Sequence, residues 1–256
     1  MGFYDLSKGE REELVSTIES NILDDFQNGL TEHIHSFFSN QDTYIRKAAY
    51  LAVGKIYKDN GIAATEIISV LDKLLESELE KVRQTTINAA GELGKTNFEN
   101  VEHFFDKGLF DEHHSVRNAV IGSIKKMGEK NPVPVLNWAK KYLHHPDKEV
   151  RREICHGIEL RGRKHPQDIL PLLKQLQHDP TARVKNTLIH VLGQIAYKKG
   201  CLETVVNALN TWKNKELVEK ALDEIVDVHH RYKNFAVLTQ KQAIDYIDEN
   251  YGQKSK

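Results

Sequence analysis

The chain has 256 residues, 39% hydrophobic and 29% charged, with 36 Lys and Arg against 37 Asp and Glu for a net charge of −1. So even a balance excludes a protein that wraps nucleic acid by overall positive charge and leaves room only for a local basic track. No apolar run approaches the ~20 residues needed to cross a bilayer. The opening MGFYDLSKGEREEL is charged within ten residues and does not read as a secretory signal. Cys155 and Cys201 are too few for a disulfide framework and read as free thiols. A cytoplasmic protein with no membrane partner is the expectation.

Residues 1–27 read as an N-terminal helical cap. Beyond them the chain repeats itself: Val82, Val116, Val150, Val184 and Val218 recur every 34 residues, and Ile45 precedes the series by 37. Each is followed by a polar residue, namely Arg46, Arg83, Arg117, Arg151, Lys185 and Glu219. Small or apolar residues return four, seven and eight positions on, as Ile154, Gly157 and Ile158 and again as Leu188, Val191 and Leu192. This is one helical face written six times, the mark of a stacked repeat protein. Each unit holds a first helix (VLNWAKKYL, DILPLLKQL), a break (DEHHS, HHPDKE, HDPTAR) and a longer second helix, here called helix B. Pro132 and Pro166 fall where a first helical turn needs no amide hydrogen. The spacing predicts hairpins over 28–61, 62–97, 98–131, 132–165, 166–199 and 200–233, then a C-terminal helix in 234–256.

A 34-residue hairpin is also the length of a tetratricopeptide repeat, but the Trp, Leu-Gly and Tyr of that pattern do not recur. What recurs is an acidic or Asp-Pro turn followed by Val-Arg, which resembles HEAT repeats. The resemblance implies a ladder of turn acids and arginines between neighbours. The expected fold is all-α, a right-handed α-α superhelix (solenoid) of about six HEAT-like hairpins with capping helices, in a single domain over 1–256.

Helix B opens with acids (Asp42, Glu78, Glu80, Asp147, Glu149) and closes with bases. Macrodipole compensation, about 0.3–1 kcal/mol per charge, accounts for this by itself. The same bases also fit a ridge along a phosphate backbone. The candidate phosphate contacts are Lys58, Lys95, Lys130, Arg163, Lys164, Lys198, Lys199 and Arg231.

In HEAT-type stacks helix B lines a concave groove. The positions that face it gather ionisable groups in the last three repeats, and the candidate groove residues are Arg152, Glu153, His156, Glu159, Arg161, His190, Glu224 and Asp227, with Asp223 beside them. Glu153 and Arg161 stand where other repeats carry small or apolar residues. A charge at such a site is costly to bury alone, so either the two pair between repeats or they belong to a functional site. The thirteen histidines show no Cys/His or HExxH spacing, so no metal and no cofactor are expected. Trp138 shares its column with Phe104, Leu172 and Val206 and reads as core, whereas Trp212 is the candidate for exposed stacking.

The stretch His145-Pro146-x-x-x-Val150-Arg151-Arg152-x-x-x-x-Gly157, continued by Asp179-Pro180-x-x-x-Val184, resembles the HEAT-like alkylpurine DNA glycosylases of the AlkC/AlkD superfamily, the AlkC branch in particular. The resemblance covers residues 130–215 best. It implies a protein that grips duplex DNA and hydrolyses the glycosidic bond of a cationic alkylated purine, with a carboxylate stabilising the sugar cation. Where the related motif has a glutamate before the glycine, this chain has His156. The catalytic residues stay unassigned, with Glu153, Glu159 and Asp227 as the substitutes on offer. Three readings follow: a non-catalytic nucleic-acid-binding protein related to DNA alkylation repair, a scaffold holding a protein or peptide in the same groove, and an active glycosylase.

Overall fold

Helices start where the expected caps stand. The Ser7 side chain accepts from Glu10 N–H, Asp42 from Tyr44 N–H at 2.7 Å and Asp147 from Glu149 N–H at 2.8 Å, so orphan amides at each N-terminus are satisfied. In the computed structural model, which describes residues 2–59 and 61–252, the described residues are helical hairpins with no strand among them. Two compact units divide the chain, 1–134 and 135–256.

The first unit opens with α1 (Lys8–Asn28). It continues with α2 (Glu32–Phe38) and α3 (Thr43–Lys58), α4 (Ala64–Leu75) and α5 (Glu80–Gly94), and α6 (Glu102–Gly108) and α7 (His114–Lys130). The B helices form one layer, with α3 packed on α1 and α5, and α5 on α7. Helix α8 (Pro132–Tyr142) runs from the end of the first unit into the second. There follow α9 (Lys148–Gly157) and α10 (Glu159–Gly162), α11 (Pro166–Gln175) and α12 (Ala182–Ala196), and α13 (Cys201–Asn210) and α14 (Lys215–Arg231). The chain ends on α15 (Gln240–Asn250). Here α12 packs on α9, α10 and α14, and α15 closes against α14. Helices α9 and α10 are one helix B interrupted at Ile158, just after Gly157, the poorest helix former after proline.

The repeated valines are the core of each unit: Val82, Val116, Val184 and Val218 are fully buried and Val150 nearly so. The arginine that follows Ile45, Val82, Val116 or Val150 reaches back to the turn before its helix. Arg46 donates to the carbonyls of Asn40 and Gln41, Arg83 to Ser77 and Glu78, Arg117 to Asp111 and Glu112, and Arg151 to His145 and Pro146. Two of them also make the expected ladder, Arg83 to Asp111 and Arg151 to Asp179. Burial pushes the carboxyls of Asp111 and Asp179 up, but the guanidinium and neighbouring donors outweigh it and hold both below their ordinary value.

The B layer is tight. A Cβ on Gly54 would stand 2.6 Å from Glu92 Cβ, on Gly91 2.7 Å from Ser123 Cβ, and on Gly193 2.6 Å from Glu224 Cγ. These glycines occupy the same register, nine after Ile45, Val82 and Val184, and let neighbouring helices approach. The fourth repeat puts Glu159 in that register.

Candidate functional site

Glu159 is where the ionisable groups of the second unit converge. It lies at the first turn of α10, 2% exposed, three residues after His156 and four before Arg163, so both neighbours share its face. His156 Nε2 stands 3.2 Å from Glu159 Oε2, and Arg163 Nη2 donates to Glu159 Oε1 at 2.5 Å and to Gln194 Oε1 of α12 at 2.9 Å. The rings of His156 and His190 meet edge to face at 6.0 Å. His190 Nδ1 is 3.8 Å from Glu224 Oε1 on α14, which accepts from Arg231 at 2.6 Å. Arg231 also pairs with Asp227 at 2.5 Å. A chain of alternating charge thus crosses α10, α12 and α14. Two buried atoms beside it, Arg163 Nε and Gln194 Nε2, have no hydrogen-bond partner.

Next to this chain is a solvent-open cavity of about 510 Å³ lined by Arg152, His156, Arg183, Asn186, Thr187 and His190. Every lining side chain offers a hydrogen-bond donor or a cation-capable ring, and none is a carboxylate. Glu149 pairs with both lining arginines, Arg152 at 2.9 Å and the more exposed Arg183 at 3.0 Å.

Of the groove candidates, the structure brings together Arg152, His156, Glu159, His190, Glu224 and Asp227. Glu153 is buried against Arg152 at 3.4 Å, while Arg161 turns to Asp168 of α11 at 2.6 Å, so the two do not form the Glu153–Arg161 pair considered from the sequence. Each charge finds a nearer partner of opposite sign than the one eight residues away.

The basic candidates divide. Lys58, Lys130, Lys164 and Lys199 are exposed. Lys198 lies over the Tyr197 ring at 4.5 Å. Lys95 pairs with buried Glu92, and Arg163 and Arg231 serve the acids described above. Trp138 is core, as expected. Trp212 is also core, 2% exposed, which overturns its reading as a stacking platform: the turn after α13, closed by Trp212 N–H to Leu209 O at 3.1 Å, folds the indole inward.

Arg183, Gln194 and Glu149 were missed in the sequence. Arg183 directly precedes the repeated Val184, a position that no inward-facing column covers. Gln194 follows Val184 by ten, the register of buried Glu92, and that shared polarity was the available signal. Also missed was an apolar groove in the first unit, a cavity of about 290 Å³ lined by Phe3, Tyr4, Val15, Tyr44 and Leu51 among others. Among the described residues, no helix is long and apolar enough to cross a membrane.

No family model and no curated protein sequence matches this chain. Solved structures do. AlkD2 from Streptococcus mutans superposes with a TM-score of 0.56 at 16% identity, over 77% of this chain and 97% of that one. The N-terminal domain of MAST/Orbit gives 0.52 at 16% identity, over 77% and 96%. A Crescerin TOG domain gives 0.50 at 17%, over 76% and 88%. At these identities the likeness is one of fold, and it places the chain's architecture among the HEAT-like helical-hairpin solenoids.

Proposed function

We propose that this protein is a non-catalytic HEAT-repeat binding module whose second unit takes the phosphate backbone of nucleic acid. The observation that carries this reading is the donor-only lining of the cavity between α9 and α12. Two guanidinium groups, two imidazoles, an amide and a hydroxyl are the groups that position phosphate oxygens, and Glu149 pairs with both arginines. Half-buried Lys198 and exposed Lys199, just past the C-terminus of α12, add positive charge beyond the same helix. The sequence resemblance to the HEAT-like glycosylases and the fold shared with AlkD2 agree with a nucleic-acid ligand. Glycosylase chemistry has less support: the acids in contact with the lining, Glu149, Glu153 and Glu159, are each engaged by arginines, and Glu153 and Glu159 are buried.

A second reading, a scaffold for a protein partner, rests on the groove of the first unit, where Tyr4, Tyr44 and Leu51 are exposed around an apolar cavity. The Crescerin domain, from an array that regulates microtubules, has the same fold.

Titration of a fluorescent 20–25 bp duplex at two salt concentrations (a length of about two turns) separates the readings. Phosphate binding gives an affinity that falls steeply with salt and weakens in Arg183→Ala/Lys198→Ala. Absence of binding at low salt eliminates the nucleic-acid reading and leaves the scaffold.

A further inference from the structure

We infer that His156, Glu159 and His190 form a binding site for a divalent transition-metal ion of the zinc type. Each residue offers one ligand atom, and the three atoms lie within 4.8 Å of one another. The His156 Nε2 to Glu159 Oε2 separation is already 3.2 Å. A tetrahedral ion with bonds of about 2.1 Å has ligand–ligand edges of roughly 3.4 Å. That edge is therefore formed, and bringing the third ligand in takes side-chain movement on the order of 1 Å.

Local structure explains how the site arises without a recognisable spacing. His156 and Glu159 are three apart, on one face across the break at Ile158, and His190 comes from the helix packed alongside. Two imidazoles with one carboxylate suit zinc and its neighbours, whereas calcium and magnesium want oxygen ligands throughout. Three protein ligands leave a position open for water or an anionic oxygen.

The surroundings are those of a supported site. Arg163 binds the far oxygen of Glu159, Oε1, and leaves Oε2 toward His156. Glu224 stands 3.8 Å from His190 Nδ1 and is itself held by Arg231. At 3.8 Å this carboxylate is beyond direct hydrogen-bond reach of His190 and lies on the side where a carboxylate behind a metal-bound histidine stands. The buried Gln194 Nε2, with no acceptor, sits on the amide whose oxygen takes Arg163, the partner of Glu159. His156 and His190 also line the cavity proposed for phosphate, and the ion titration is read on the chain without nucleic acid, so its outcome is separate from that of the duplex titration.

The test uses the full chain, stripped with a chelator and titrated with Co²⁺. The expected result is one ion per chain with a tetrahedral-type visible absorption, displaced by Zn²⁺. Glu159→Gln and His190→Asn are each expected to weaken binding by about 10–100-fold or more, while His178→Gln, remote from the site, leaves it unchanged. Circular dichroism reports whether each variant folds. Should Glu159→Gln fail to fold, His190→Asn decides, because its ring is half-exposed and its loss leaves the core intact. The inference is overturned if the wild-type chain takes up no stoichiometric ion, or if the ion stays equally tight in the folded variants.

Discussion

Arg151 and Asp179, 28 residues apart in neighbouring repeats, are joined by two parallel hydrogen bonds, Nε to Oδ2 at 2.6 Å and Nη2 to Oδ1 at 3.2 Å. The same guanidinium caps the carbonyls of His145 and Pro146. One side chain thus ties a helix start to its own turn and to the next repeat.

Removing it leaves Asp179, whose side chain is 3% exposed, as an uncompensated buried charge. Arg151→Ala is expected to lose about 3 kcal/mol in urea unfolding. Asp179→Asn removes the charge but keeps an acceptor and is expected to lose less. A coupling near zero between the two in a double-mutant cycle would show the ladder to be ornamental.

Asp111 and Asp179 are both held below their ordinary value of 3.8 in the folded chain. Their contribution is complete above pH 3.8 and is lost as pH falls further through the folded-state values. His229 adds a second step of the same sign: burial holds it below 6.5, only partly offset by Nδ1 against Ile225 O. As pH falls through 6.5 the unfolded chain takes up that proton first, so stability starts to decline there. Urea midpoints followed against pH are expected to show this upper shoulder, and His229→Gln to flatten it.

Two glycines of the first unit are expected to respond with opposite signs. A Cβ at Gly91 would sit 2.7 Å from Ser123 Cβ and 3.5 Å from Ser123 Cα, where α5 and α7 cannot part cheaply. Gly91→Ala is expected to cost about 1–3 kcal/mol through overpacking. At Gly122, mid-way along α7, no atom lies within 4 Å of the added methyl. Gly122→Ala is expected to gain about 0.5–1 kcal/mol from reduced chain entropy. Denaturant midpoints of the two variants check both.

Cys155 and Cys201 are 0% and 1% exposed, and burial raises the pKa of each thiol. Neither is expected to react with iodoacetamide in the folded chain, and both are expected to react in urea. Rapid native labelling at Cys155 would mean that the α9–α12 packing opens readily.

The helical-hairpin architecture was legible in the sequence because a residue that must be buried against a neighbouring helix recurs with the period of the hairpin. Val82, Val116 and Val184 follow from that period, and the pairing of the arginines after Val82 and Val150 with turn acids is what the resemblance to HEAT repeats implied. Column reasoning also named His156, Glu159 and His190 as groove candidates, and the structure brings the three together with Glu159 buried behind the two rings. It could not place Trp212, since a residue just past a helix end turns in or out by the geometry of the turn and not by helical phase.

Partner choice among charges was likewise decided only by the tertiary structure. Arg161 selects Asp168 and not Glu153, and Arg163 and Arg231 are drawn from a basic edge into pairs with Glu159 and Glu224. An ion pair forms with whichever opposite charge folding brings within reach, and linear spacing fixes that only along a single helix. His156 and His190 belong to different helices, so the sequence determined the face each occupies, and the packing of α9 against α12 decided that the two rings meet.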